Sequence, residues 1–172
     1  FSADSHWLAI GGGDIRLLDL TSPTLEVASR FLGLGTPVAI SPDNLWLLAQ
    51  KDDLPQLLNL GDLSSEPISL FGHEGRVTGI SFSPDSHRLL TGSWDDTVRI
   101  WDLQSNAPGS SAVVLNSPED WLPHINALAV TPDNRWLVTG TEGGSVYLWE
   151  LKEENLVDLV CQTAGRNLYK VE

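Results

Sequence analysis

The sequence predicts an all-β fold assembled from repeated small antiparallel sheets, and three observations carry that expectation. Apolar runs of alternating character, VTGISF, RLLTGS and TVRIWDL within residues 77–103, are separated by turn formers, Ser83-Pro84-Asp85-Ser86 and the acidic Asp95-Asp96. The turn and the strand after it recur as ADSHWLAIGG from residue 3, PDNLWLLAQ from 42, PDSHRLLTGS from 84 and PDNRWLVTGT from 132, offset by 39, 42 and 48 residues. An independent landmark, the end of the next strand, recurs as IRLLDL, PQLLNL, VRIWDL and VYLWEL, whose fourth residues Leu18, Leu58, Trp101 and Trp149 are spaced 40, 43 and 48 apart. Two landmarks that drift together mark copies of one unit differing in loop length.

Composition narrows the function classes. With 172 residues and 41% hydrophobic content the chain can bury a sizeable core. Its 10 basic and 23 acidic side chains leave a formal net charge of -13, which repels phosphate backbones and ranks nucleic acid and anionic membranes low as partners. The single cysteine, Cys161, has no internal disulfide partner, which favours a reducing compartment and a cytoplasmic location. No apolar run approaches the length of a membrane span, and no signal peptide opens the chain. The absence of methionine and the start at Phe1 lead to the expectation of a fragment of a longer protein.

A period of roughly 40 to 45 residues with four strands per unit is the mark of a propeller blade. Gly72-His73, the Ser83-Pro84-Asp85 turn, Thr91-Gly92-Ser93, Asp95 and Trp101-Asp102 resemble the WD-repeat β-propeller family. The resemblance covers the chain to about residue 151 and is strongest in the third copy. It implies a partial β-propeller of about four blades of four-stranded antiparallel sheet. It also implies a hydrogen-bonded chain of His73, Thr91, Asp95 and Trp101 inside one blade, in which each polar group satisfies the next. The fourth copy keeps Thr139 and Trp149 but has Gly143 where the aspartate belongs, and His124 stands too close to the following strand to be the loop histidine. The first two copies place Leu18 and Leu58 at the tryptophan position and must rely on apolar packing.

In chain order, Phe1-Ser2-Ala3-Asp4 aligns with Phe82-Ser83-Pro84-Asp85, so the chain begins partway through a blade. Residues 1–33 form this incomplete first blade, with LEVASRFL at 24–31 as its outer strand. Residues 34–71 are the second blade, built from PVAIS, LWLLAQ, LPQLLNL and EPISLF, with Pro55 at a strand start or on its solvent side. Residues 72–116 are the third, ending in SAVVLN after the connection SNAPGSS. Residues 117–151 are the fourth, entered through the long loop NSPEDWLPH. In the tail, 152–172, Leu156, Leu159, Val160, Thr163 and Ala164 recur at helical spacing before Gly165, which predicts a short C-terminal helix where the last outer strand would stand. This tail resembles those following WD-repeat domains in large bacterial signalling proteins.

The sequence holds little that points to catalysis, and no metal or cofactor is expected. No phosphate-binding loop, HExxH, CxxC or GxSxG occurs, and Gly11-Gly12-Gly13 reads as a tight turn. His6, His73, His87 and His124 are dispersed, and Asp52-Asp53, Asp95-Asp96 and Glu119-Asp120 read as solvated turn residues. Binding has better support. The family architecture brings the loops into the first strands and the turns between the second and third strands to one rim, which gathers Glu74, Arg76, Trp94, Asp96, Trp121, Leu122, His124 and Glu142. Trp94 stands out, because packing does not demand an aromatic before the turn aspartate; the alternative is that it folds over the neighbouring blade. Trp7, Trp46 and Trp136 occupy equivalent second-strand starts and are expected to pack within the fold.

The expected function is therefore a protein-interaction scaffold or sensor within a larger bacterial signalling protein, with an acidic rim that favours a basic partner segment. Open blade edges invite self-association. The other readings are an enzyme using a central cavity, which would need clustered carboxylates or a metal there, and a purely structural spacer.

Overall fold

The computed structural model describes residues 1–22, 34–110, 112–116, 124–151 and 169–171, which are all-β apart from one 3-10 turn at Pro108–Ser110. They divide by compactness into two units, Phe1–Phe71 and Gly72–Glu172.

One local device opens each copy of the repeat. A hydroxyl donates to the aspartate two residues on at 2.5–2.6 Å, in Ser2–Asp4, Ser41–Asp43, Ser83–Asp85 and Thr131–Asp133. The residue after each aspartate turns left-handed, with φ of 61° at Ser5, 63° at Asn44, 62° at Ser86 and 57° at Asn134. Ser and Asn are short polar residues that suit such turns. The same hydroxyl oxygen accepts the N–H that starts the next strand, from Trp7, Trp46, Arg88 and Trp136 at 2.7–3.0 Å. Each turn is thus locked at both ends, and strand register follows.

In the first unit, β1 (Trp7–Ile10) and β3 (Arg16–Asp19) pair antiparallel, from Trp7 opposite Asp19 to Ile10 opposite Arg16. Between them β2 (Gly13–Asp14) pairs with the start of β4 (Leu34–Ile40), which begins the order β2-β4-β5-β6-β7. Here β5 is Trp46–Lys51, β6 is Leu54–Asn59 and β7 is Ile68–Ser69. Pro55 is the second residue of β6 and is buried, so of the two placements expected for it the strand start holds. Ile15, Leu17, Leu47, Ala49, Leu58 and Leu60 form the core, with the Trp7 side chain packed against them. Leu58, at the tryptophan position of its copy, is part of that apolar cluster.

The second unit contains two four-stranded antiparallel sheets. One comprises β8 (Val77–Phe82), β9 (Arg88–Ser93), β10 (Thr97–Asp102) and β11 (Ala112–Asn116). The other comprises β12 (Ile125–Val130), β13 (Trp136–Thr141), β14 (Val146–Glu150) and β15 (Tyr169–Val171). Leu90, Val98, Ile100 and Leu115 from the first sheet meet Ile125, Leu137, Tyr147 and Trp149 from the second in one core. Two glycines allow the approach. A Cβ on Gly92 would stand 2.6 Å from Ile125 Cγ2, and one on Gly79 would stand 3.2 Å from Leu128 Cγ.

The tail departs from expectation at its end. The helix expected over Leu156–Ala164 lies outside the described residues, as does the outer strand expected at 24–31. The outer place on β14, which the helix was expected to fill, is taken by a strand: β15 pairs there antiparallel, Val146 opposite Val171 and Leu148 opposite Tyr169. The free N–H and C=O groups of a sheet edge need partners, and an extended segment supplies them where a helix does not.

Candidate functional site

The interior of the β8–β11 sheet holds a continuous polar chain. Trp101 Nε1 donates to Thr91 Oγ1 at 3.0 Å, Thr91 Oγ1 lies 2.8 Å from His73 Nε2, and His73 Nδ1 lies 2.9 Å from Asp95 Oδ2. An indole can only donate and a carboxylate only accept. The carboxylate therefore takes Nδ1–H from the ring. Burial lowers the His73 pKa despite the neighbouring carboxylate, which favours the neutral ring, and its bare Nε2 then accepts from the Thr91 hydroxyl. Asp95 accepts further bonds, from Glu74 N–H at 2.9 Å, Thr97 N–H at 3.0 Å and the Thr97 hydroxyl at 2.7 Å. Burial alone would raise its pKa, but the bonds from Thr97, Glu74 and His73 prevail and hold it at about 2. The His73 side chain is only 2% exposed, so this is a rigid strut with no open face for a substrate.

The loop bearing His73 is clamped from below by Arg99, whose Nη2 donates to the Gly72 carbonyl at 2.7 Å. Gly72 has φ +131°, and a Cβ there would stand 2.6 Å from Arg99 Nη1, so only glycine serves. Sequence reasoning did not single out Arg99. The β12–β15 sheet keeps half of the polar chain: Trp149 Nε1 donates to Thr139 Oγ1 at 3.0 Å.

The rim residues form a row held together by the backbone. Trp94 N–H donates to the Arg76 carbonyl at 2.9 Å, His124 N–H to Asp96 Oδ1 at 3.0 Å and Glu142 N–H to the His124 carbonyl at 3.0 Å. Trp94 lies at the centre. Its ring stacks on His124 with centroids 4.9 Å apart and planes at 24°, the Arg76 guanidinium is 5.7 Å from its centroid, and its Nε1 donates to Asn126 Oδ1 at 3.3 Å. His124 Nδ1–H donates to the Trp94 carbonyl at 2.9 Å. Trp94 thus reaches over the next sheet and is still 41% exposed. Glu74, Arg76, Asp96 and Glu142 are exposed beside it, while Trp121 and Leu122 lie outside the described residues. Asn126 escaped the sequence reading, since a polar residue within an alternating strand carries no signal of what it faces. Its counterpart in the preceding copy, Thr78, performs a related task by donating to the Ile125 carbonyl. Among the described residues no group of three His, Cys, Asp or Glu side chains could hold a metal ion.

The family model for the WD domain, G-beta repeat, matches residues 65–102 and 114–150, which hold β8–β10 of the one sheet and β12–β14 of the other. The chain belongs to the WD-repeat family. It is 38% identical over 71 residues to the LST8 homolog of Dictyostelium discoideum, covering 41% of this chain and 23% of that protein. It is 34% identical over 106 residues to an uncharacterized WD repeat-containing protein of Synechocystis, covering 59% and 30%. With the groucho protein of Drosophila melanogaster it shares 32% identity over 108 residues, covering 59% and 14%. The chain therefore spans less than a third of the length of each of these relatives.

Proposed function

We propose that the chain is a protein-interaction module, the scaffold or sensor part of a larger signalling protein of bacterial type that works in the cytoplasm. The observation that carries this reading is the rim centred on Trp94. An exposed indole whose rotamer is already held by His124 and Asn126 loses little entropy on meeting a partner, and tryptophan and arginine dominate the energetics of protein interfaces. The polar chain beneath supplies a stiff platform. The similarity to WD-repeat proteins supports the same reading, among them a protein of Schizosaccharomyces pombe named as a target of rapamycin complex subunit, 36% identical over 69 residues.

The test compares the proteins captured by the longer parent protein with those captured by a variant carrying Glu74→Ala, Arg76→Ala and Trp94→Ala. Loss of a specific partner from a variant that still melts cooperatively supports the reading; an unchanged partner set overturns it and favours a spacer.

A further inference from the structure

We propose that Trp94 is the docking point for an arginine side chain of a partner segment, and that His124 occupies this point in the unbound protein. The inference rests on the interaction reading above and names the chemistry of the partner.

The contacts of His124 define what the place accepts. Its ring makes three of them: a stack on the Trp94 indole at 4.9 Å, a hydrogen bond from Nδ1–H to the Trp94 carbonyl at 2.9 Å and an approach of Nδ1 to Asp96 Oδ1 at 3.8 Å. A ligand that replaces the ring must be flat and must carry an N–H donor at its edge. Guanidinium meets both conditions, and Arg76 already lies 5.7 Å from the same ring. A lysine ammonium offers a donor but no plane, and a carboxylate is flat but offers no donor.

Charge selects the permanently cationic candidate. Glu74, Asp96 and Glu142 are exposed on the loops that the backbone bonds tie to Trp94 and His124, and the whole chain carries -13. Carboxylates around an aromatic face attract a cation and steer its approach.

The imidazole is also placed to leave. His124 has φ +36°, in the left-handed region that residues with a side chain seldom adopt, and its side chain is 40% exposed. Its main-chain bonds, from N–H to Asp96 and from Glu142 N–H to its carbonyl, do not depend on the ring. Rotation of the side chain alone uncovers the indole and the Trp94 carbonyl together. The rim then exchanges one planar nitrogen group for another without disturbing the seam between the sheets.

The test uses the 172-residue chain and short acetylated peptides in which glycine alternates with arginine, lysine or glutamate. The readout is the indole N–H resonance of Trp94, assigned by its loss in Trp94→Phe. The arginine peptide is expected to shift it saturably, the lysine peptide to bind about fivefold more weakly and the glutamate peptide not at all. His124→Asn, which keeps a residue tolerant of the left-handed backbone, is expected to tighten the arginine peptide about threefold by removing the competitor. Glu74→Gln with Glu142→Gln is expected to weaken it. An unmoved Trp94 resonance, equal binding of arginine and glutamate peptides, or no tightening in His124→Asn overturns the proposal. Should those failures coincide with a partner set that still depends on the rim, the interaction reading stands and only the arginine assignment falls.

Discussion

The β8–β11 and β12–β15 sheets of the second unit descend from one pattern and stabilise their interiors differently. In the first, the indole of Trp101 is the end of a four-membered polar chain that ties strand, turn and entering loop together through Thr91, His73 and Asp95. In the second, Trp149 and Thr139 keep the strand-to-strand bond, while Gly143 and Gly144, which have no side chain to offer a loop, occupy the turn. Tyr147 stands where the first sheet has Arg99, and its buried hydroxyl has no hydrogen-bond partner among the described residues. The comparison separates two contributions that a WD repeat usually combines: apolar burial of the tryptophan, present in both sheets, and polar bracing of the loop, present in one.

The largest expected effect tests the tryptophans themselves. Trp101→Ala should cost about 3–5 kcal/mol in urea unfolding, through cavity formation. Trp149→Ala should cost about 1 kcal/mol less, because Trp149 ends a pair with Thr139, whereas the Thr91 that Trp101 holds goes on to hold His73. Equal losses would show that the bracing adds nothing to the burial.

Next comes the brace. Asp95→Ala leaves the N–H groups of Glu74 and Thr97 and the His73 ring without their acceptor and should cost about 2–3 kcal/mol. Gly143→Asp in the second sheet should gain less than about 0.5 kcal/mol, since the position four before Ile125 is Trp121 rather than histidine.

The brace also predicts a response to acid. Because burial lowers the His73 pKa below its ordinary 6.5, the unfolded chain takes up a proton that the folded chain refuses. Stability from this group is present above pH 6.5 and is lost as pH falls below it. Asp95, lowered from 3.8 to about 2, adds a second loss between those values. Unfolding at pH 7 and pH 5 should differ less in His73→Gln than in the parent; an unchanged difference would assign the acid response elsewhere.

A matched pair of glycines sharpens the contrast between a covered and an open face. Gly92→Ala forces a methyl against Ile125 and should cost about 1–3 kcal/mol, whereas Gly140→Ala, with nothing among the described residues within 4 Å of the new Cβ, should stay within about 0.5 kcal/mol of the parent. The smallest effect is expected at the Arg135–Glu150 pair, 3.3 Å apart with Arg135 61% and Glu150 11% exposed. Arg135→Gln should change stability by less than about 0.5 kcal/mol.

Much of the fold was legible beforehand because turns and strands are local. A serine or threonine two residues before an aspartate, followed by a left-handed residue and an alternating strand, states its own geometry, and four copies of it set the period. The polar chain was legible for a related reason: its members recur at family positions. Trp94 was only half legible. Its place on the rim followed from the turn, but its contacts with His124 and Asn126 are made by side chains 30 and 32 residues away. The tail was misread at its end, since helical spacing speaks for residues 156–164 and says nothing of the edge that Tyr169–Val171 joins.

By itself, then, the sequence determined what depends on neighbours along the chain: all-β architecture, repeat length and turn chemistry, while the His73–Asp95 brace was implied by the family resemblance. The tertiary structure alone decided what depends on neighbours in space. It set Gly92 against Ile125, gave β14 its outer strand and laid the His124 ring on Trp94. Such contacts join residues whose separation in sequence carries no periodicity, and only the packing of one sheet on the next brings them within reach.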